Sequence, residues 1–224
     1  FENKSSATAP AQQVVITDTL DANLDLDTFE LVDFAFGDHL VQVPPGLSDY
    51  HTRVDLRPEG IDAVVDVCLT LDRDTREFRT EMIARDPETG WLPMDWNVGI
   101  LPPNDSTGRG EGHISYFVKP IAALPSGTRI ENEARIIFDF NEPIDTPVVV
   151  NTIDADRPSS SVDALPATVD TTEFDVSWSG QDGANGSGVG RYDIYVSING
   201  GPREAWLQNT TETTATYTGR NRHT

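Results

Sequence analysis

Residues 61–71 read IDAVVDVCLTL and place Ile61, Ala63, Val65, Val67, Leu69 and Leu71 at every second position. Side chains on a strand point alternately to opposite faces, so this spacing predicts a half-buried β-strand with one apolar face. The polar turn DRDT follows at residues 72–75, after which Phe78, Thr80, Met82 and Ala84 resume the alternation. Two such runs around a short polar turn make an antiparallel hairpin.

The same period recurs on both sides of this hairpin. Downstream, the turn LPSGT at residues 124–128 leads into a stretch that places Ile130, Asn132, Ala134, Ile136, Phe138 and Phe140 on one face. Shorter strand candidates lie at residues 14–17, 29–36, 51–56, 114–118 and 148–150. After Asn151 the texture changes to the polar, proline-bearing TIDADRPSSS at residues 152–161, which marks a domain boundary. A second alternating pattern follows. Phe174, Val176 and Trp178 form one face and Tyr192, Ile194, Val196 and Ile198 another, on either side of GQDGANGSGVG at residues 180–190. Many short antiparallel strands separated by turn signals predict sandwiches. The expected fold is all-β: two tandem Ig-like antiparallel β-sandwiches, at residues 1–152 and 153–224.

The chain of 224 residues carries 37 acidic against 16 basic side chains, a formal net charge of −21, and Lys4 and Lys119 are its only lysines. Such a surface repels a phosphate backbone, which argues against a nucleic-acid partner. It also opposes its own compaction unless cations screen or bind it. No apolar run is long enough to span a membrane, so membrane insertion is not expected, and no signal peptide opens the chain. Cys68 is the single cysteine. An intramolecular disulfide and CxxC chemistry are therefore excluded, and its apolar neighbours make Cys68 a core-packing residue. N-x-S/T sequons at Asn3, Asn104, Asn185 and Asn209 are read as chance.

The string LPSGTRIENEARIIFDFNEPIDTPVVVNTID at residues 124–154, with FEN at 1–3 and ITDTLDANLDL at 16–26, resembles the conserved-repeat β-sandwich modules of very large bacterial surface proteins. The later SWSGQDGANGSGVGRYDIYVSINGGP, residues 177–202, looks like a bacterial fibronectin type III or related Ig-like repeat. The resemblance implies a non-enzymatic stalk or fibre segment, extracellular and on the cell surface. It also leaves both ends short of the family pattern: FEN would be the tail of a strand, and YTGRNRHT at residues 217–224 stops before the last two strands of a fibronectin-like sandwich. Copies of the chain or neighbouring repeats, arranged head-to-tail, are the partners that would complete such open edges.

Calcium is the expected cofactor. It takes about six to eight oxygen ligands, which acidic loops of a sandwich can supply without a helix. The leading candidate set joins Asp154 and Asp156 of the linker to Asp182, Asn185 and Asp193 of the second domain, where an ion would bridge the two domains. A second set is Asp139, Asn141, Glu142 and Asp145 in DFNEPID, with strand alternation placing Asp139 and Asn141 on one face. A third is Asn104, Asp105 and Glu111 in PPNDSTGRGEG, whose glycines permit close backbone approach. The bland reading of the first set is a solvated linker with turn-forming Asp and Asn, and that of the second is an acidic strand end. Asp21, Asn23, Asp25 and Asp27 have EF-hand spacing, but Leu26 stands where glycine is required and Val32 where the bidentate Glu belongs, so Leu24 and Leu26 are inward strand residues instead.

Catalysis finds little support. His39, His51, His113 and His223 are scattered, no nucleophile sits in a G-x-S-x-G context, and GANGSGVG lacks the Gly-Lys-Ser/Thr of a phosphate loop. The rival to a spacer is a carbohydrate-binding or adhesion module with surface glycans as partners, because Trp91 and Trp96 in GWLPMDWN suit stacking on sugar rings. The structural alternative for that pair is packing against the end of a sandwich. No isopeptide partner can be named for Lys119, which Pro120 follows.

Overall fold

A computed structural model of the chain describes residues 1–219, whose regular structure is β-strand, mostly paired antiparallel, with one short 3-10 turn. The chain divides into two compact units, one of residues 1–122 and 129–151, the other of residues 123–128 and 152–224. The second unit thus includes the short excursion at residues 123–128. No helix among the described residues is long and apolar enough to cross a membrane.

The first unit begins with β1 (Gln13–Thr19), β2 (Leu24–Phe36), β3 (His39–Gln42) and β4 (Tyr50–Asp55). A 3-10 turn at Arg57–Glu59 leads to β5 (Val64–Asp72), β6 (Glu77–Arg85) and β7 (Gly112–Pro120). β8 (Arg129–Asn132), β9 (Ala134–Phe138), β10 (Ile144–Asp145) and β11 (Val149–Thr152) follow, the last residue of β11 falling in the second unit. One sheet runs β10-β9-β1-β6-β5-β4, a second runs β3-β2-β7, and β8 pairs with β11.

Register explains why the alternating residues make a core. Ile16 lies opposite Thr80, and Thr80 opposite Leu69, so every second residue of three adjacent strands shares the inner face. Val14, Val65, Val67, Leu69, Met82 and Ala84 are buried there, and β2 contributes Phe29, Leu31, Phe34 and Phe36. Burying each large apolar side chain stabilises the fold by about 1.5–3 kcal/mol, and truncating the fully buried Phe34 to Ala would cost about 3–5 kcal/mol. Phe29, Phe78 and Tyr116 meet in one aromatic cluster, with ring centroids 4.9–5.3 Å apart. Leu24 and Leu26 are buried in β2, as inward strand residues should be.

Two sequence expectations fail locally. Residues 129–140 are not one strand: β8 and β9 are separated at Glu133, and β9 leaves to pair with β1 and β10. The alternation then ends at Phe138, because Asp139 turns the chain at φ 51° and its Oδ1 accepts the N–H groups of Gln12 and Gln13. Phe140 is consequently 90% exposed rather than inward. Cys68 is not a core residue either. It lies out of phase with Val67 and Leu69 on the outer face, half-buried opposite His51 and Glu81, with Sγ 3.6 Å from His51 Nε2. Burial there pushes its thiol above the usual range, which disfavours a reactive thiolate.

The second unit contains β12 (Ser159–Val162), β13 (Glu173–Gln181), β14 (Tyr192–Val196), β15 (Glu204–Thr210) and β16 (Thr214–Thr218). The order β12-β13-β16 forms one sheet and β14-β15 another. Its centre is aromatic: Trp178 meets Tyr192 and Trp206 edge-on, Trp206 meets Tyr217 at 5.2 Å, and Tyr217 meets Phe174 at 5.7 Å. Val176 and Trp178 are buried, whereas Ile198 falls beyond the end of β14 and is exposed. The positive φ of Asn199 and Gly200 turns the chain there, so the expected inward alternation cannot extend to Ile198.

Candidate functional site

The leading calcium candidate comes together in part. The glycine-rich loop after β13 curls around acidic side chains. Asp182 accepts from Gly183 N–H at 2.9 Å and Gly188 N–H at 2.8 Å, and Asp154 Oδ2 accepts from Ser187 N–H at 2.9 Å and its hydroxyl at 2.5 Å. Those bonds hold the Asp154 carboxyl below its usual range. Glycine lets two acids lie close against the loop: a Cβ on Gly183 would lie 2.6 Å from Asp156 Oδ2 and one on Gly186 would meet the Asp182 carboxylate, so a side chain at either position would push the acid aside. Asp154, Asp156 and Asp182 therefore approach one loop. Asn185 instead packs against Gly127, and Asp193 accepts from Asn209 N–H. All five residues belong to the second unit.

The other two sets are held by protein partners. Asp139 bonds Gln12 and Gln13, Asn141 bonds the Phe138 carbonyl, and Asp145 forms a 2.7 Å ion pair with Arg135. Since β9 ends before Asp139, strand alternation does not put Asp139 and Asn141 on a common face as expected. Glu142 is exposed. In the third set, Asn104 Nδ2 bridges Glu111 at 3.0 Å and Glu2 at 2.8 Å, while Asp105 pairs with Arg109 and Thr107. Those donors hold the Asp105 carboxyl far below its ordinary range. Gly110 permits this closeness, because a Cβ there would lie 2.5 Å from Asn104 Cα. Among the described residues, no group of three or more His, Cys, Asp or Glu side chains is arranged to hold a metal ion.

The histidines have separate neighbours: Glu59 for His39, Cys68 for His51 and Asp33 for His113. His223 lies outside the described residues. Lys119 is exposed on β7.

The tryptophan loop is the most distinctive surface. Trp91 is 75% exposed, Met94 98% and Trp96 63%, so neither indole packs against the sandwich end. The backbone beneath them is nevertheless fixed. Gln12 Nε2 donates to the carbonyls of Pro93, Asp95 and Val98 at 2.9–3.2 Å. Asp86 Oδ1 caps a turn by accepting from Glu88 N–H, Thr89 N–H and the Thr89 hydroxyl, which hold its carboxyl below the usual range. At the far end, Ile100 N–H bonds the Ala11 carbonyl at 2.7 Å, and Gly99 sits where a Cβ would come within 2.5 Å of that oxygen. Nothing in the local sequence marks Gln12, which is far along the chain from the loop it holds.

One buried acid also escaped the sequence reading. Asp18 is 5% exposed, its Oδ2 accepts from the Tyr116 hydroxyl at 2.8 Å, and its Oδ1 has no hydrogen-bond partner. Burial pushes this carboxyl above its usual range, opposed by the hydrogen bond from Tyr116 and the nearby Asn132 amide. Burial, and then the Asp18 charge, push the Tyr116 phenol up as well. The signal was present in the alternation itself, since Asp18 follows Val14 and Ile16 on the inward face.

Among known proteins, residues 78–152 match a family described as a domain of unknown function, DUF7619, which covers about a third of the chain. No curated protein and no solved structure matches it.

Proposed function

We propose that the chain is a non-enzymatic structural segment of an extracellular bacterial surface or fibre protein. The observation that supports this most is the work its acidic side chains do. Asp21 accepts from Asn23 N–H and, far along the chain, from Glu131 N–H; Asp49 accepts from Leu71 N–H; Asp139 ties β1 to the end of β9. Asp72, Asp86 and Asp105 cap turns. Carboxylates used as loop anchors suit a rigid spacer, because they remove backbone freedom where sandwiches are weakest. Surface labelling tests the reading: antibody against this segment should stain intact cells of the source organism, and staining only after lysis would refute it.

Calcium belongs to the same proposal. Asp154, Asp156 and Asp182 line one glycine loop without being arranged as a metal cluster, so they would have to turn from their loop partners toward a common point to hold the ion, with backbone carbonyls and water completing the shell. Head-to-tail assembly is supported by the second unit's edges. Among the described residues β12 pairs with β13 alone and β14 with β15 alone, and a cavity of about 240 Å³ lined by both edges lies beside Trp178. Unpaired strand edges recruit further strands. Sedimentation should show concentration-dependent association; a monomer at every concentration would remove assembly from the proposal.

A second reading, an adhesion or carbohydrate-binding module, is favoured by the exposure of Trp91 and Trp96. The two are compatible, since a spacer can carry an adhesive loop.

A further inference from the structure

The geometry points to the loop at residues 91–96 as a binding site for an uncharged polysaccharide. This rests on the binding-module reading and adds the class of ligand. Exposed tryptophan is a costly choice for a solvent loop, and here Trp91, Met94 and Trp96, within six residues, are each mostly exposed. They are not there because the loop is slack. Gln12 grips three of its carbonyls, Asp86 caps its entry and Gly99 is seated against Ala11 at its exit. A platform whose backbone is already fixed loses little conformational freedom when a ligand settles on it.

Charge selects among ligands. Residues 86–98 contain Asp86, Glu88 and Asp95 and neither lysine nor arginine, within a chain of net charge −21. Sulfated or uronic-acid glycans and anionic lipid headgroups would meet like charge at the rim. An uncharged sugar has no such penalty. Its C–H face packs on an indole, and its hydroxyls can bond the second carboxylate oxygen of Asp95, whose Oδ1 already accepts from the Asn97 N–H and Nδ2 at 2.9 and 3.3 Å.

Pull-down and titration calorimetry of the whole chain test the assignment. The neutral probes are cellulose, chitin and soluble β-glucan, the anionic probes heparin and alginate, and phosphatidylcholine vesicles stand for a membrane. Retention on at least one neutral polymer is expected, weakened about two- to tenfold by Trp91→Ala and by Trp96→Ala. Far-UV circular dichroism should not change, since both side chains are mostly exposed. Binding to none of the probes would sink the binding-module reading and this inference with it. Binding to heparin, alginate or vesicles through the same tryptophans would overturn the inference and leave that reading standing, as would neutral-polymer binding indifferent to both substitutions.

Discussion

The phenol of Tyr116 on β7 donates a 2.8 Å hydrogen bond to the carboxyl of Asp18 on β1, joining the two larger sheets of the first unit through their shared core. One end of that bond is an acid facing an apolar interior, with its second oxygen unpartnered. Folding raises the Asp18 pKa, so the folded state favours the protonated acid. The contribution of this group is fully present below the ordinary carboxylate pKa and is lost as pH rises through the raised one. Asp18→Asn should therefore gain melting temperature over the parent between about pH 4 and 7, the advantage growing with pH. An advantage independent of pH would mean that Asp18 does not ionise in this range. Tyr116→Phe, which strands the acid, should cost about 1–3 kcal/mol and more at pH 7 than at pH 3.5.

Surface carboxylates act in the opposite sense. Hydrogen bonds from Arg57 hold Asp55 down at about 2, and Arg53, Arg135 and turn N–H groups lower Asp66, Asp145 and Asp72. Such groups contribute above the unfolded pKa of about 3.9 and lose their contribution as pH falls through the folded value. Stability should decline in acid from about pH 5 towards pH 2. Circular dichroism melts in that window that stayed flat would contradict the assignment.

Asp139 combines a left-handed backbone with two long-range bonds. Asp139→Ala should destabilise the first unit by about 1–3 kcal/mol, whereas Asp139→Asn keeps an acceptor and tolerates positive φ, and should cost clearly less. Urea titration distinguishes them; equal losses would show that charge rather than acceptor geometry holds the turn.

Gln12→Ala removes all three carbonyl contacts beneath the tryptophan loop. Limited chymotrypsin digestion should then cut at Trp91 or Trp96 at least several-fold faster than in the parent, with global stability reduced by about 1 kcal/mol. Unchanged cleavage would mean that the turn at Asp86 alone fixes the loop.

Calcium at a hundredfold excess over its dissociation constant would stabilise the second unit by about 2.7 kcal/mol. The expected signature is a chelator-sensitive melt at low ionic strength, abolished in Asp182→Ala. Gly186→Ala should weaken it too, since the new methyl displaces the Asp182 carboxylate. A melt indifferent to chelator removes calcium from the proposed function.

Sequence alone determined the all-β class, the hairpin of β5 and β6 and most strands of the first unit, because period-two burial is written locally in residues such as Val65, Val67 and Leu69. It also singled out Trp91 and Trp96 and the acids around the glycine-rich loop. Tertiary structure decided what those residues face. The backbone that carries the indoles is held by Gln12, distant in sequence; whether Asp139 is a ligand or an anchor depends on where β9 leaves its neighbour for β1. Asp18 is inward by local alternation, but its meaning comes from Tyr116 in the opposite sheet. Alternation fixes which side of a strand a residue is on, and only the pairing of strands remote in sequence sets which group meets it there.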